Sequence, residues 1–320
     1  MDEKVSALYS EYVIDGVARE LTPARMLGGT HKGGYAAVVD ESVDPDLLNR
    51  NTVQMSVSMS ASMARNKVSE TLLNVLWNKG HFRIGNLSVS PSWRWNEDRI
   101  GNMAAFYASV ETLAEYCDEL GLTVRDFSYA RTSGECSLDV SVDVEPALDD
   151  MEKPFCVESP SLLPSPQSPS TLVNDSRSWI IYVPFETEWG SHDSDYFIDC
   201  YELVRELVED DIILSGRTVT GGLGHSLEEY VSASGAVLRL AGIKRYFELD
   251  DTSRILSDDI KGVLFQIRDM DYDYIDAEFL LQDVAYFPLG HPSEGGLRLD
   301  LSDKTGIQAI LESLINNENH

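Results

Sequence analysis

Cysteine is scarce in this chain, and its distribution indicates neither a disulfide framework nor a zinc site. The four cysteines, Cys117, Cys136, Cys156 and Cys200, include no CxxC pair, a spacing that such sites commonly use. The six histidines show no HExxH or HxH spacing. The sequence therefore predicts no metal centre, and we expect reduced thiols, as in a cytoplasmic protein.

Long apolar runs are also missing. No run approaches the roughly 18 residues that a membrane-spanning helix needs. The opening Met-Asp-Glu-Lys does not resemble a signal peptide. From these two absences we expect a soluble, cytoplasmic protein that has no membrane partner.

Basic residues are few relative to acidic ones. The chain has 25 Lys and Arg against 54 Asp and Glu, a formal net charge of −29. This charge repels polyanions, and no cluster of basic residues is present to contact phosphates, so we expect no nucleic-acid partner. Two interpretations stay open. The acidic surface either keeps the protein soluble, or it forms a face that captures a basic protein or mimics nucleic acid.

A proline- and serine-rich stretch divides the chain. Residues 159–170 contain four prolines in twelve residues, a composition that cannot maintain helix or sheet hydrogen bonds and is typical of a linker. The 320 residues are enough for two domains. We therefore predict an N-terminal domain over 1–158 and a C-terminal domain over 171–320, each of mixed α/β (α+β) class.

The clearest pattern lies between residues 103 and 144. Helical spacing separates a set of apolar residues, and Gly121 follows them where a helix commonly ends. The members of that set are Met103, Phe106, Val110, Leu113, Cys117 and Leu120. Residues 138–144 then alternate between apolar and acidic or serine side chains, which predicts a strand with a wet, acidic face. The turn at Gly134 and Glu135, between helix and strand, is a candidate phosphate site.

Other N-terminal motifs are weaker. The glycine-rich segment 27–34 contains Lys32 and could cradle an anion, although tight turns also use glycines. Trp93 and Trp95 share one face of a strand predicted over 86–95, where core or interface packing is favoured over base stacking. A helix is predicted over 64–78, and the methionines at 55 and 59 before it are interpreted as core residues.

The second half alternates strands and helices. Strands are predicted over 177–185, 212–214, 237–240, 262–267, 286–289 and 297–301. Helices are predicted over 195–209, from near 225, over 275–282 and over 303–314. Gly221 and Gly222 precede the second of these helices, and His225 is expected to be a polar residue at its start rather than a catalytic base.

The order of these motifs resembles the second, synthetase-like half of formylglycinamidine ribonucleotide (FGAM) synthase, and more broadly the aminoimidazole ribonucleotide (AIR) synthetase superfamily. Seven segments are similar to family segments, in the same order along the chain. In the first half these are 26–39 (VGP-Q-P-ADVAVV), 64–77 (ARMAVAEALTNL), 87–95 (SGNWMW), 102–122 (LYDACEAM…LG) and 134–140 (GKDSLSM). In the second half they are 221–223 (the end of HDRSDGGL) and 255–267 (LFAEELGLVLEV). The resemblance implies an AIR synthetase-like two-domain fold. It also implies a homodimer, because strands of two copies, or of two half-molecules, form a shared barrel in that superfamily. Val140, Trp93 and Trp95 are candidates for that interface.

The departures from the family fall on residues that hold Mg-ATP. Glu135 and Cys136 stand where the family has the Lys and Asp of GKDS, and Ser92 stands where it has the Asn of SGNWMW. Residues 216–220 retain no Asp, while the acidic pair of LFAEE is kept as Asp258 and Asp259. A unit charge about 4 Å from a phosphate contributes about 4 kcal/mol at an effective dielectric constant near 20, and replacing Lys by Glu reverses its sign.

The resemblance and its departures predict a catalytically degenerate homologue that acts as an acidic interaction or assembly protein. No cofactor is then expected, and a basic protein is the expected partner. A viral origin is consistent with this, since viral proteins have repurposed the family in the same way. One alternative is an ATP-dependent FGAM synthase-like enzyme of purine biosynthesis using Mg-ATP, and another is a nucleic-acid-mimicking inhibitor. The residues of the degenerate nucleotide site are Lys32, Gly134, Glu135, Gly221, Gly222, Asp258 and Asp259.

Overall fold

The computed structural model describes residues 6–29, 37–42, 55–78, 83–144, 168–187, 193–232, 234–248, 252–257 and 260–300. The chain divides into two compact units. Unit 1 comprises Met1–Val75 and Phe82–Ser161, and unit 2 comprises Leu76–His81 and Leu162–His320. Residues 76–81 thus belong to unit 2, although the sequence places them within the first domain. Most of the predicted linker and the helix predicted over 303–314 lie outside the described residues.

Unit 1 contains a small three-stranded sheet in the order β2-β1-β3. Its strands are β1 (Glu11–Ile14), β2 (Val17–Ala18) and β3 (Ala37–Asp40), and the short helix α1 (Pro23–Met26) follows β2. Asp15 and Gly16 join β1 to β2, both with positive φ, 53° and 77°. Two such residues match the right-handed twist of a hairpin, which is why Asp-Gly forms this turn.

A second sheet of unit 1 is built around one long strand. This strand is β4 (Leu87–Trp95), and its neighbours are β5 (Thr123–Val124), β6 (Ser128–Arg131) and β7 (Ser137–Val144). β4 pairs in parallel with β5 and β6, and antiparallel with β7. The helices of this unit are α2 (Val57–Val75) and α3 (Asn102–Glu119). Gly121, just after α3, has a φ of +68°, as the sequence predicts.

The two tryptophans of β4 lie in the core of unit 1. Their rings pack on Phe106 of α3, with ring centroids 5.9 Å away for Trp93 and 5.8 Å away for Trp95. The indole N–H of Trp93 donates to Ser109 Oγ at 2.8 Å, and that of Trp95 donates to the Asn102 carbonyl at 2.6 Å. Their prediction as interface residues is therefore wrong, because both side chains are fully buried within the unit.

The opposite face of this sheet carries small polar side chains. We call it the serine face, and it comprises Ser88, Ser90, Ser92, Ser128, Ser137, Asp139, Ser141 and Asp143. Asp139 lies 3.3 Å from Arg94, and Asp143 lies 3.9 Å from Arg125. The strand has the predicted wet face, but its acidic charge is partly balanced by Arg94, which lies on the same face in β4, and by Arg125.

Unit 2 contains a six-stranded sheet in the order β13-β10-β12-β8-β11-β9. Its strands are β8 (Ser178–Pro184), β9 (Ser215–Thr218), β10 (Gly235–Arg239), β11 (Gly262–Arg268), β12 (Phe287–Ser293) and β13 (Leu297–Asp300). β11 pairs antiparallel with both β8 and β9, whereas β10 pairs in parallel with β13. The strand predicted over 212–214 is therefore shifted, because the observed strand β9 begins at Ser215, directly after the predicted segment.

Helices cover both faces of this sheet. They are α4 (Ser194–Glu209), α5 (Leu223–Val231), α6 (Ala241–Tyr246), α7 (Thr252–Ser257) and α8 (Tyr272–Leu281). Leu264 of β11 belongs to the core cluster that contains Leu227 and Ile243 of α5 and α6. The next residue, Phe265, stacks on Phe279 of α8. Because successive strand residues point to opposite faces, a strand buried on both sides reads as the continuous apolar run seen here.

Candidate functional site

The turn between β6 and β7 already uses its own hydrogen-bonding groups. The Asn96 amide donates to the carbonyls of Ser133 and Gly134, at 3.2 and 3.1 Å. The Gly134 N–H donates to Thr132 Oγ1 at 3.1 Å. Glu135 at the tip is exposed. An incoming phosphate would have to displace an existing bond to reach the Gly134 N–H, and it would meet a carboxylate beside it.

Cys136 ends this turn as a packed thiol. Its Sγ accepts from the Asn96 backbone N–H at 3.5 Å and from Asn102 Nδ2 at 3.4 Å. Burial raises the pKa of Cys136, which keeps the thiol protonated at neutral pH and reduces its nucleophilicity. At this position, which the motif resemblance aligns with an Asp, the chain has a half-buried thiol, and magnesium prefers oxygen ligands to sulfur.

Asp40 at the end of β3 occupies the N-terminus of α3. Its carboxylate accepts from the Gly101 N–H at 3.0 Å and from the Ala104 N–H at 2.7 Å. The residue is 9% exposed, and this burial raises its pKa, although the backbone hydrogen bonds act in the opposite direction. A helix N-terminus is a natural anion site, and here the chain fills that site with its own carboxylate.

An acidic cleft of about 570 Å³ lies beside Asp40. We define the acidic cleft by its charged lining residues, which are Asp40, Glu41, Glu97, Asp98 and Arg99. Val39 and Ile100, which are 75% and 73% exposed, also line it. Four carboxylates against one guanidinium give this lining a negative balance, so the cleft favours a cation over an anion.

Arg131 does not reverse that balance. Its guanidinium lies 3.5 Å from Glu97 and pairs closely with Asp98, and these acids raise its pKa. Glu97 also accepts from the Tyr129 hydroxyl at 2.8 Å, and burial is the main cause that raises the pKa of Tyr129. The Arg131 guanidinium, at the end of β6, is therefore paired with carboxylates of the cleft.

In unit 2, Gly221 and Gly222 precede α5 with positive φ angles of 66° and 93°. A Cβ added at Gly222 would lie 2.6 Å from the Leu256 carbonyl oxygen and 2.9 Å from that of Ser257. The close approach of α7 therefore requires a glycine at 222, whether or not a phosphate binds. The same carbonyls also place partial negative charge beside the start of α5.

The segment that replaces the family's HDRSD pattern is part of a packed strand. The Trp77 ring covers Gly216, where an added Cβ would meet it at 1.9 Å. The Trp77 indole N–H donates to Thr218 Oγ1 at 3.1 Å. Arg217 pairs closely with Glu229 of α5. These residues stabilise unit 2, and Trp77 had no functional or packing role assigned from the sequence.

His225 lies in the first turn of α5 with an exposed side chain, 3.6 Å from Glu229. It has the position that the sequence predicts, near the helix start. This arrangement gives it one acidic neighbour on its own helix.

The predicted site residues fall into separate groups. Gly134 and Glu135 lie in unit 1, whereas Gly221 and Gly222 lie in unit 2. Lys32, Asp258 and Asp259 are outside the described residues. Among the described residues, no group of three or more His, Cys, Asp or Glu side chains could hold a metal ion. No helix in the same part of the chain is long and apolar enough to cross a membrane.

Sequence reasoning missed Asp40 and Asn96. Asp40 follows the apolar residues of β3 directly, and Asn96 follows Trp95. A polar residue at the end of a strand, or just after it, was the only available signal. Neither sequence position reveals that Asp40 contacts a helix 60 residues later, or that Asn96 contacts the β6–β7 turn.

Comparison with known proteins identifies the fold class. No family model and no curated protein matches this sequence. Thermotoga maritima PurL complexed with ATP matches in structure with a TM-score of 0.53 and 13% identity, over 77% of this chain and 39% of that chain. The T. maritima PurLQS structure matches with a TM-score of 0.54 and 14% identity, over 77% of this chain and 40% of that chain. T. maritima phosphoribosylformylglycinamidine synthase II matches with a TM-score of 0.52 and 13% identity, over 77% of this chain and 40% of that chain.

The chain therefore has an AIR synthetase-like fold, as the motif order predicts. Its particular structural neighbours include PurL, the FGAM synthase of T. maritima. The match extends over about two fifths of those chains, and at this identity it establishes the fold alone.

Proposed function

We propose that this protein is a catalytically degenerate relative of FGAM synthase that binds a basic protein partner through the acidic cleft of unit 1. The observation that carries the proposal is Asp40, whose carboxylate fills the N-terminus of α3 at 3.0 and 2.7 Å. A site evolved for a triphosphate would leave such N–H groups available for the ligand. Under this proposal the chain needs no cofactor.

The chemistry of the cleft supports a basic partner. Its carboxylates attract Lys or Arg side chains, and the exposed Val39 and Ile100 offer apolar contact to the aliphatic stems of those residues. The net charge of −29 increases the rate of encounter with basic proteins, and this effect weakens as salt is added.

Titration calorimetry with decalysine tests the proposal. The double variant Glu41→Gln/Asp98→Asn should weaken binding roughly tenfold, because it removes two cleft charges. The matched double variant Glu119→Gln/Asp126→Asn, which changes two exposed carboxylates of unit 1 outside the cleft, should change affinity less than twofold at the same ionic strength. Equal losses in both variants would mean that decalysine responds only to total charge, and would contradict the assignment of the cleft.

The alternative is an ATP-dependent FGAM synthase-like enzyme, and the likeness to a PurL structure complexed with ATP favours it. Such an enzyme would use Mg-ATP with Lys32, Asp258 and Asp259. Calorimetry with Mg-ATP separates the two functions. Micromolar binding that is lost in Asp258→Ala would establish the alternative and reject the degenerate assignment.

A further inference from the structure

Unit 2 contains a second cavity, of about 520 Å³, between α4, α6, α8 and the start of β12. Its volume lies within the range of roughly 300–1,000 Å³ that is usual for ligand pockets. We call it the aromatic cavity, and the residues that define it are Tyr196, Tyr246, Tyr286, Phe287, Asp276 and Asp283. Among the described residues that line it, two are carboxylates and none is Lys, Arg or His.

The aromatic rings form connected walls. Tyr246 and Phe287 meet nearly edge to face, with centroids 5.4 Å apart and ring planes at 67°. Tyr286 packs on Phe279 with centroids 5.0 Å apart. The Tyr196 hydroxyl accepts from the Ala285 N–H at 3.1 Å, which fixes one wall against the segment before β12.

One of the two carboxylates orients a ring of the cavity. The Tyr286 hydroxyl donates to Asp276 in a close hydrogen bond, so this ring is oriented by a carboxylate of α8. Tyrosine hydroxyls are already neutral at pH 7, and burial raises the pKa of Tyr196, Tyr246 and Tyr286 further. Asp283 is exposed and adopts a left-handed conformation at φ 55°.

We propose that the aromatic cavity binds the alkylammonium group of a lysine side chain, preferably methylated, presented by a protein partner. Several aromatic rings around a cavity with only acidic charges provide the two components that favour such a cation, which are ring quadrupoles and nearby carboxylates. A methylated ammonium is less strongly hydrated than a free one, so its transfer to an aromatic lining costs less. This site is in unit 2, and it does not depend on the acidic cleft of unit 1.

The probe is the peptide Ac-Gly-Lys(Me₃)-Gly-NH₂, titrated by NMR into the full chain. Its control is the same peptide with an uncharged tert-butyl isostere of the trimethylammonium group. We expect the cation to bind roughly tenfold more tightly, because shape and apolar area match and only the charge differs. Equal affinity for the two peptides would overturn the proposal.

Matched variants locate the binding. Tyr246→Leu should weaken binding roughly tenfold, whereas Tyr246→Phe should retain most of it, because the ring remains. Tyr274→Leu is the control, since Tyr274 is 46% exposed and lies on α8 outside the cavity lining. If Tyr246→Leu binds as tightly as the unmodified chain, the site is not this cavity and the proposal fails.

Two variants that each remove one carboxylate, inside and outside the cavity lining, provide a second test. Asp283→Asn should weaken cation binding several-fold and reduce its dependence on salt, since Asn tolerates a left-handed φ. Asp273→Asn on α8 should have no such effect, because Asp273 does not line the cavity.

Tetramethylammonium chloride binding as tightly as the peptide would overturn the assignment to a protein lysine. Glu41→Gln/Asp98→Asn should leave peptide binding unchanged, so the failure of one site is distinguishable from the failure of the other.

Discussion

At the scale of single residues, Asp40 shows how a buried carboxylate can cap a helix from a distant strand. It satisfies N–H groups at the start of α3 that would otherwise need water or a ligand, and it does so 9% exposed. Burial raises its pKa, so the folded protein binds this proton more tightly than the unfolded chain does. The stabilising contribution of the bound proton is full below the unfolded pKa and is lost as the pH rises through the folded pKa.

Asp40→Asn should therefore flatten the pH dependence of stability. The free energy of unfolding of the unmodified chain should fall as the pH rises from the ordinary Asp pKa, about 3.9, through the raised value, and the variant should lack this contribution. Urea unfolding at a series of pH values measures it. Glu41→Gln, which removes the adjacent and exposed carboxylate, is the control. Parallel curves for the unmodified chain and Asp40→Asn would contradict the assignment.

The packing around residue 222 requires a glycine, whether or not a phosphate binds there. Gly222→Ala places a methyl group 2.6 Å from the Leu256 carbonyl oxygen and should cost about 2–4 kcal/mol, from overpacking and left-handed strain together. Gly296→Ala, at φ +84° with open space around its Cβ, should cost only about 1–2 kcal/mol. Thermal unfolding measures both. Equal losses would mean that α7 does not press on residue 222.

At the scale of elements, the long amphipathic segments could be predicted from the sequence, and the boundaries set by local polar contacts could not. α3 and β4 begin and end within one residue of their predicted positions. α2 was wrong at both ends, because it runs from Val57 to Val75 and not over 64–78. Met59 then lies on its exposed side, 55% exposed, so its prediction as a core residue is wrong.

The reason is that serines hide the start of α2. Ser60 is fully buried at a position where the apolar pattern would require a hydrophobic residue, so the periodicity becomes legible only from Ala64. Ser56 Oγ accepts from the Met59 N–H at 3.2 Å, which is the contact that starts the helix. In the same way, the candidate site depends on contacts between residues far apart in the chain, such as those of Asp40 with Gly101 and Ala104, 61 and 64 residues later, which local patterns do not contain.

Ser56→Ala should destabilise unit 1 by about 1 kcal/mol, because it leaves the Met59 N–H without its cap. Ser62→Ala, at an exposed position within the same helix, should change stability by less than about 0.5 kcal/mol. Circular dichroism during urea unfolding gives both values. If the two variants unfold alike, residue 56 does not cap α2.

At the scale of the whole molecule, the chain covers about 40% of the PurL chains that it matches. We propose, from the motif resemblance, that its N-terminal sheet pairs with a second copy, and the full burial of Trp93 and Trp95 removes these two side chains from that role. The serine face, on the other side of the same sheet, is then the candidate surface for pairing with a second copy. Its small side chains allow close approach of another chain, and the Arg94–Asp139 pair shows that its charges are partly balanced.

We therefore expect a homodimer that uses the serine face. Light scattering should give about twice the chain mass of 35.6 kDa, and Ser90→Arg should shift the protein to monomer, because a two-fold interface places the added bulk and charge twice. Ser62→Arg on α2 is the matched control and should remain dimeric. The net charge of −29 per chain opposes association, so dissociation should decrease as salt screens that repulsion. A monomer at every concentration and salt level would reject the dimer, whereas a Ser90→Arg dimer as tight as the unmodified one would place the interface elsewhere.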